Sequence, residues 1–310
     1  MAEFAVVFIS IFVEALPFLL LGTLISAVVA VFVPDDFIAR LFASRSRSAL
    51  AVAVSAGFLL PICECGIVPI VRGLIRKGAP VYAGVAFLLA APIVNPIVLA
   101  STYYAFPDNF AITFLRAGLG MLIALAAGAF FRTFYAGNPL RGGMYVLPAA
   151  CACGHHHGAS CQGSGRPGLL GKCGDVMLHA GDELIEVGKY LVVGVFLAAL
   201  LRTVLARETL LAVGQGDLTS VAAMMFFGYV VSLCSEADAF VAAAFNYYFK
   251  AGALLAFLVY GPMLDLKNTF LLYSVFKGRF VTTLIVVVTV AVLAAAWLVN
   301  ILAGEATAHV

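Results

Sequence analysis

Apolar residues fill this chain in runs too long for a soluble core, and the few polar residues gather at particular places within and between them. The runs fall at Phe4–Val33, Ala49–Val71, Val81–Phe106, Phe110–Phe131, Val187–Leu205, Val221–Phe249, Ala251–Phe276 and Phe280–Leu302. About 20 apolar residues carry a helix across the hydrocarbon layer. The pattern therefore predicts an all-α integral membrane protein with eight hydrophobic membrane segments and the lipid bilayer as its solvent. Glycines and prolines between Arg132 and Asp175 break any helical period and predict a flexible connector.

Composition agrees with that class. Of 310 residues, 64% are hydrophobic and 11% charged, against about a quarter charged in soluble domains, and the mean hydropathy is +1.09. Met1-Ala2-Glu3 lacks the basic stretch of a signal peptide, so the first run reads as a retained span. The net charge of +2 decides nothing, but its distribution does. Arg40, Arg45 and Arg47 precede the second run, and Arg72, Arg76 and Lys77 follow it. Basic residues favour the cytoplasmic side, which favours a second run that dips in and returns over one that crosses. The same count places Arg132, Arg141, Arg166, Lys172, Lys277 and Arg279 inside, and Arg116, Arg202, Arg207 and Lys250 toward the exterior.

The chain also repeats itself at a spacing near 171 residues. Phe12-Val13-Glu14-Ala15-Leu16 and Gly22 match Leu184-Ile185-Glu186-Val187-Gly188 and Gly194, and the Cys63 region matches Ser232-Leu233-Cys234-Ser235-Glu236. Ala86–Asn95 matches Ala256–Asp265. The expected organisation is a first membrane repeat at 1–135, a Cys/His-rich cytoplasmic connector at 136–175, a second repeat at 176–304 and a tail at 305–310. Two such repeats, with broken or re-entrant helices at the centre, commonly enclose a midplane site.

The candidate chemistry lies at those breaks. Pro61-Ile62-Cys63-Glu64-Cys65-Gly66 places two thiols and a carboxylate inside an apolar run. Ionisable groups at that depth are costly and mark a substrate or ion path. Residues two apart diverge on a helix, so an unwound segment suits Cys63 and Cys65 as joint ligands; the plainer reading is cysteine as a small hydrophobe. The corresponding candidates elsewhere are Asn95, bracketed by Pro92 and Pro96, and Cys234, Glu236, Asp238, Asp265 and Asn268. Glu236 and Asp238, also two apart, predict a second unwound element. Interhelical hydrogen bonds would equally account for the asparagines, and a local pair with Lys267 for Asp265. Glu14 and Glu186 are candidate proton carriers, with a Glu186–Lys189 helical pair as the structural alternative.

In the connector, Cys151, Cys153, His155, His156, His157 and Cys161 lie within eleven residues. Such tracts bind metal, and thiolate with imidazole selects Cu(I) or Zn(II). A transition metal is thus expected as cargo or as an ion held by this loop, with no cofactor required. Gly168-Leu169-Leu170-Gly171-Lys172-Cys173 is too short for a phosphate-cradling loop and ends in Cys. No nucleotide partner is expected, and no basic aromatic surface suggests nucleic acid.

Pro61-Ile62-Cys63-Glu64-Cys65-Gly66-Ile67-Val68-Pro69, Gly78-Ala79-Pro80 and Ala86–Pro96 resemble the predicted permease family that includes the ArsP organoarsenical exporters. The resemblance covers essentially the whole chain. It implies bacterial inner-membrane efflux of a soft metal or trivalent metalloid, with Cys63 and Cys65 on the cargo. The Cys/His-rich connector looks more like a copper/zinc efflux permease branch. The expected function is gradient-driven export through a thiolate-lined central site rather than catalysis; an intramembrane thiol oxidoreductase and a passive channel are the alternatives.

Overall fold

The computed structural model describes residues 2–34, 47–59, 62–107, 109–135, 137–141, 169–204 and 216–307. These form helices α1 (Ala2–Phe32), α2 (Arg47–Leu59), α3 (Glu64–Arg76), α4 (Val81–Val94), α5 (Pro96–Ala105) and α6 (Phe110–Phe134), then α7 (Leu169–Val204), α8 (Asp217–Val231), α9 (Ser235–Ala244), α10 (Ala251–Met263), α11 (Leu266–Val275) and α12 (Gly278–Thr307). Among the described residues the only β-type pairing is an isolated bridge between Leu140 and Phe276. The Cys/His tract of the connector lies outside the described residues.

Among the described residues, five spans are long and apolar enough to cross a membrane: Phe4–Phe32, Val81–Ala105, Phe110–Phe134, Cys173–Thr203 and Gly278–Leu302. The chain is therefore a multi-pass membrane protein. The other apolar runs are divided: Ala49–Val71 into α2 and α3, Val221–Phe249 into α8 and α9, and Ala251–Phe276 into α10 and α11. Burial ranks the long spans. Of the most apolar window in Val81–Ala105, 78% is buried, against 17% in Phe4–Phe32. The α4–α5 element thus runs through the centre, while α1 shows Val6, Ile9 and Val13 outward, a face that lipid covers.

Each interruption has a local cause. Pro96 disfavours the helical region for the residue before it, and Asn95 sits at φ −56, ψ 131 between α4 and α5. Its side chain accepts a hydrogen bond from Ile97 N at 2.9 Å, capping the new helix. Asp265 does the same between α10 and α11, with Asn268 N donating to its Oδ1 at 2.6 Å. Ser232 ends α8 in the left-handed region at φ 50, which non-glycine residues seldom occupy. Cys63 and Cys234 are the extended cap residues of α3 and α9.

Packing places these breaks side by side. α1 lies against α3 and α7, α7 against α11, α3 against α11, and α9 against α5. At Gly22 the contact is backbone on backbone: a Cβ there would fall 2.6 Å from Cα of Gly66. At Gly194 it would fall 2.9 Å from Cα of Lys267. Both glycines hold a long peripheral helix directly on an element that bears functional groups.

Candidate functional site

A small pocket, with room for about one water molecule, lies where α1, the start of α3, the 232–234 turn and the start of α11 meet. Its polar wall is Glu14, Cys63, Glu64, Cys65, Cys234 and Lys267. Ile11, Ala15 and Phe18 complete it on the α1 side; with Glu14 they lie three and four residues apart, on one helical face. The three cysteines are unpaired and buried. All three are candidates from the sequence, and the fold brings the distant Cys234 to the other two.

The geometry corrects the expected backbone. Rather than both sitting in an unwound strand, Cys63 is the extended residue before α3 and Cys65 belongs to its first turn. The change of backbone state at Cys63 brings both side chains to one cavity, which a continuous helix opposes. Glu64 follows in the first turn, where the helix dipole favours a carboxylate.

Lys267 organises the charge. Its Nζ lies 2.9 Å from Glu64 Oε1 and 2.5 Å from Asp265 Oδ2. It also donates to the carbonyls of Ser232 at 2.9 Å and Leu233 at 3.3 Å. Lys267, Glu64 and Asp265 are each 3% exposed or less, and a buried charge is tolerable only when paired and hydrogen-bonded in this way. The sequence reading held Lys267 as a local partner of Asp265; the fold adds Glu64 from the other end of the chain. Cys234 Sγ donates to Glu236 Oε2 at 2.8 Å.

The remaining candidates lie elsewhere. Glu236 and Asp238 are both within α9, not in an unwound segment, so their side chains diverge, and Asp238 does not line the cavity. Asn95 is a buried helix cap. Asn268 is buried and its Oδ1 has no hydrogen-bond partner in the protein. Glu14 lines the cavity. Glu186 does not: Arg72 of α3 donates to it at 2.9 Å, with Glu183 3.7 Å from the same nitrogen. The expected Glu186–Lys189 pairing gives way to Lys189 over the Tyr190 ring, 5.6 Å from its centroid. Among the described residues, no three Cys, His, Asp or Glu side chains are close enough to hold a metal ion.

Two basic residues read as topological charges are internal. Arg72 is 6% exposed, and Arg116, placed toward the exterior by the charge count, is fully buried. The signal was available: an arginine well inside a 25-residue apolar helix is itself a functional mark.

Residues 1–301 match the family described as "Predicted permease" (ArsP_1). The chain belongs to that family. It is 44% identical over 294 residues to UPF0718 protein YcgR of Bacillus subtilis, covering 95% of this chain and 96% of the relative. It is also 33% identical over 275 residues to a "Putative two-component membrane permease complex subunit" of Streptococcus mutans, covering 89% and 87%. A shorter match, 30% identical over 112 residues, reaches 36% of this chain and 30% of UPF0718 protein MJ0584 of Methanocaldococcus jannaschii. No solved structure matches. Membership makes the chain a membrane permease; none of these names states a cargo.

Proposed function

We propose that this permease exports a soft metal ion or trivalent metalloid (copper, zinc or an arsenical) across the bacterial plasma membrane, driven by a gradient. The observation that carries the reading is that three buried thiols, from opposite ends of the chain, line one cavity between broken helices. Thiolates select soft ions and replace their hydration, lowering the cost of passage through an apolar layer. A two-coordinate soft ion needs only a pair of sulfurs, so Cys63 and Cys65 are the primary ligands and Cys234, which lines the same pocket, the next acceptor. Glu64, Asp265 and Lys267 set the charge beside them. Ligation releases thiol protons, for which Glu14 is a lining carboxylate. The connector's Cys151, Cys153, His155, His156, His157 and Cys161 collect or sense the ion on the cytoplasmic side.

Alternating access would follow from two homologous halves. In support, the helices run 31, 13, 13, 14, 10 and 25 residues through α6, then 36, 15, 10, 13, 10 and 30. The cross-half contacts are also reciprocal, α3 on α11 and α9 on α5. A second subunit, as the Streptococcus relative's name describes for that protein, would act on this frame.

Transport in inside-out vesicles, comparing Cu(I), Zn(II), arsenite and methylarsenite, tests the reading. One of these accumulates with the intact protein, and Cys63→Ser abolishes that accumulation while membrane content stays constant. Undiminished uptake in Cys63→Ser and Cys65→Ser rejects the thiol site.

A further inference from the structure

Away from the thiol cavity, α6 and α9 meet at a second charged cluster. Asp238 is 2% exposed and its Oδ2 has no hydrogen-bond partner in the protein. Ser235, one turn earlier on α9, likewise has an unpartnered buried Oγ. From α6, Arg116 donates through Nη1 to Thr102 Oγ1 at 2.6 Å and through Nη2 to the Ser235 carbonyl at 2.9 Å, leaving Nε unpartnered. Thr113, one turn before Arg116, has an unpartnered buried hydroxyl. Beside the carboxylate, α10 presents the bare backbone of Gly261, where a Cβ would lie 3.2 Å from Asp238 Oδ2.

The spacing repeats on both helices. Ser235 and Asp238 are three apart on α9, and Thr113 and Arg116 are three apart on α6, so each pair shares a face. Unmatched donors and acceptors this deep cost roughly 1–3 kcal/mol apiece, which a fold retains where a small polar species is to be held. An anion is disfavoured by Asp238, and a metal ion by Arg116. Water and its proton satisfy the set: Arg116 Nε donates, Asp238 Oδ2 accepts, and the two hydroxyls do either.

We propose that Asp238 is a reversibly protonated group of this permease, separate from Glu14 of the thiol pocket, with Arg116 as its fixed counter-charge and the Thr113 and Ser235 hydroxyls positioning the water that delivers the proton. The carboxylate takes a proton from hydronium on one face and becomes a neutral acid; it returns that proton to water on the other face. Arg116 keeps its charge throughout, so the cluster alternates between net zero and net positive. The other charged groups acting on Asp238 are Glu64, at the start of α3, and Lys267 and Asp265, of α11. On its own element, Cys234 and Glu236 lie one turn or less away. The helices α5 and α10, which pack on α9, carry no charged residue. The site goes beyond the thiol reading, and testing it needs no cargo.

Infrared difference spectroscopy of the full chain in lipid, stepped in pH and carrying isotope-labelled aspartate, reads the carboxylic acid directly. A titrating aspartic-acid carbonyl band is expected. It is lost in Asp238→Asn, and in Asp238→Glu it passes from the labelled to the unlabelled acid region, which covers the case where the asparagine variant fails to fold. Arg116→Lys keeps the midpoint; Arg116→Gln moves it upward by about one to three pH units, because the positive partner favours the ionised form. A band that ignores Asp238→Glu, or a midpoint equal in Arg116→Gln and wild type, overturns the proposal. A permease that keeps this titration after Cys63→Ser separates the proton site from the thiol site.

Discussion

Helices α3 and α9 both follow non-helical backbone, both have a cysteine at the N-cap, and both begin beside a deeply buried basic residue. Around α3, Lys267 reaches two carboxylates and two carbonyls and its charge is closed off. Around α9, Arg116 spends its terminal nitrogens on a hydroxyl and a carbonyl rather than on a carboxylate, and Asp238 Oδ2, like Glu64 Oε2 in the first cluster, has no hydrogen-bond partner in the protein. Similar backbone openings thus carry opposite electrostatic outcomes. A closed cluster fixes geometry; an open one can change protonation without dismantling its partners.

The largest effect should come from breaking the closed cluster. Lys267→Met strands Glu64 and Asp265, and removing one partner of a buried pair costs about 3–5 kcal/mol. The detergent-solubilised protein should unfold at a markedly lower temperature, with Glu64→Gln and Asp265→Asn recovering most of the loss when added together. Arg116→Met should cost less, since Asp238 can take up a proton. Equal losses would erase the distinction between the two clusters.

Next in size is the close approach that seats both regions. Gly22→Ala and Gly194→Ala each force a methyl group against backbone, at 2.6 Å from Cα of Gly66 and 2.9 Å from Cα of Lys267. Overpacking of this kind costs about 1–3 kcal/mol. Gly188→Ala, with nothing within 4 Å of the new methyl, should stay within about 0.5 kcal/mol of wild type. Thermal unfolding of the three variants under one condition checks the order, and a cost at Gly188 as large as at Gly22 would show that close contact does not set it, since helix propensity alone favours alanine at both sites.

Much of this was legible before any coordinates. The membrane class followed from run length, and Cys63, Glu64, Cys65 and Cys234 from polar residues at apolar depth. The helix break at Asn95 followed from its flanking prolines. What the sequence hid was pairing at long range. Glu64 with Lys267, and Arg72 with Glu186, join residues that no local pattern connects. Arg72 and Arg116 were misread because a one-dimensional count treats every arginine as a mark of sidedness, whereas two of them are internal counter-charges. The divergence of Glu236 and Asp238 was missed because their spacing was taken from the cysteines, while α9 stays helical through both.

The smallest effect separates capping from ligation at the two matched breaks. Asn95 accepts from Ile97 N and does nothing else visible in the fold; Asp265 accepts from Asn268 N and also pairs with Lys267. Asn95→Ala should therefore cost about 1 kcal/mol, the usual worth of an N-cap, and Asn95→Ser a few tenths. Neither should alter any uptake that the vesicle comparison detects. Asp265→Asn preserves a capping oxygen yet removes the negative charge that faces Lys267, so it should lose more stability than Asn95→Ala although its side chain is the better cap. If unfolding instead ranks Asn95→Ala as the more damaging of the two, then the Asp265–Lys267 contact contributes little, and the closed cluster rests on Glu64 alone.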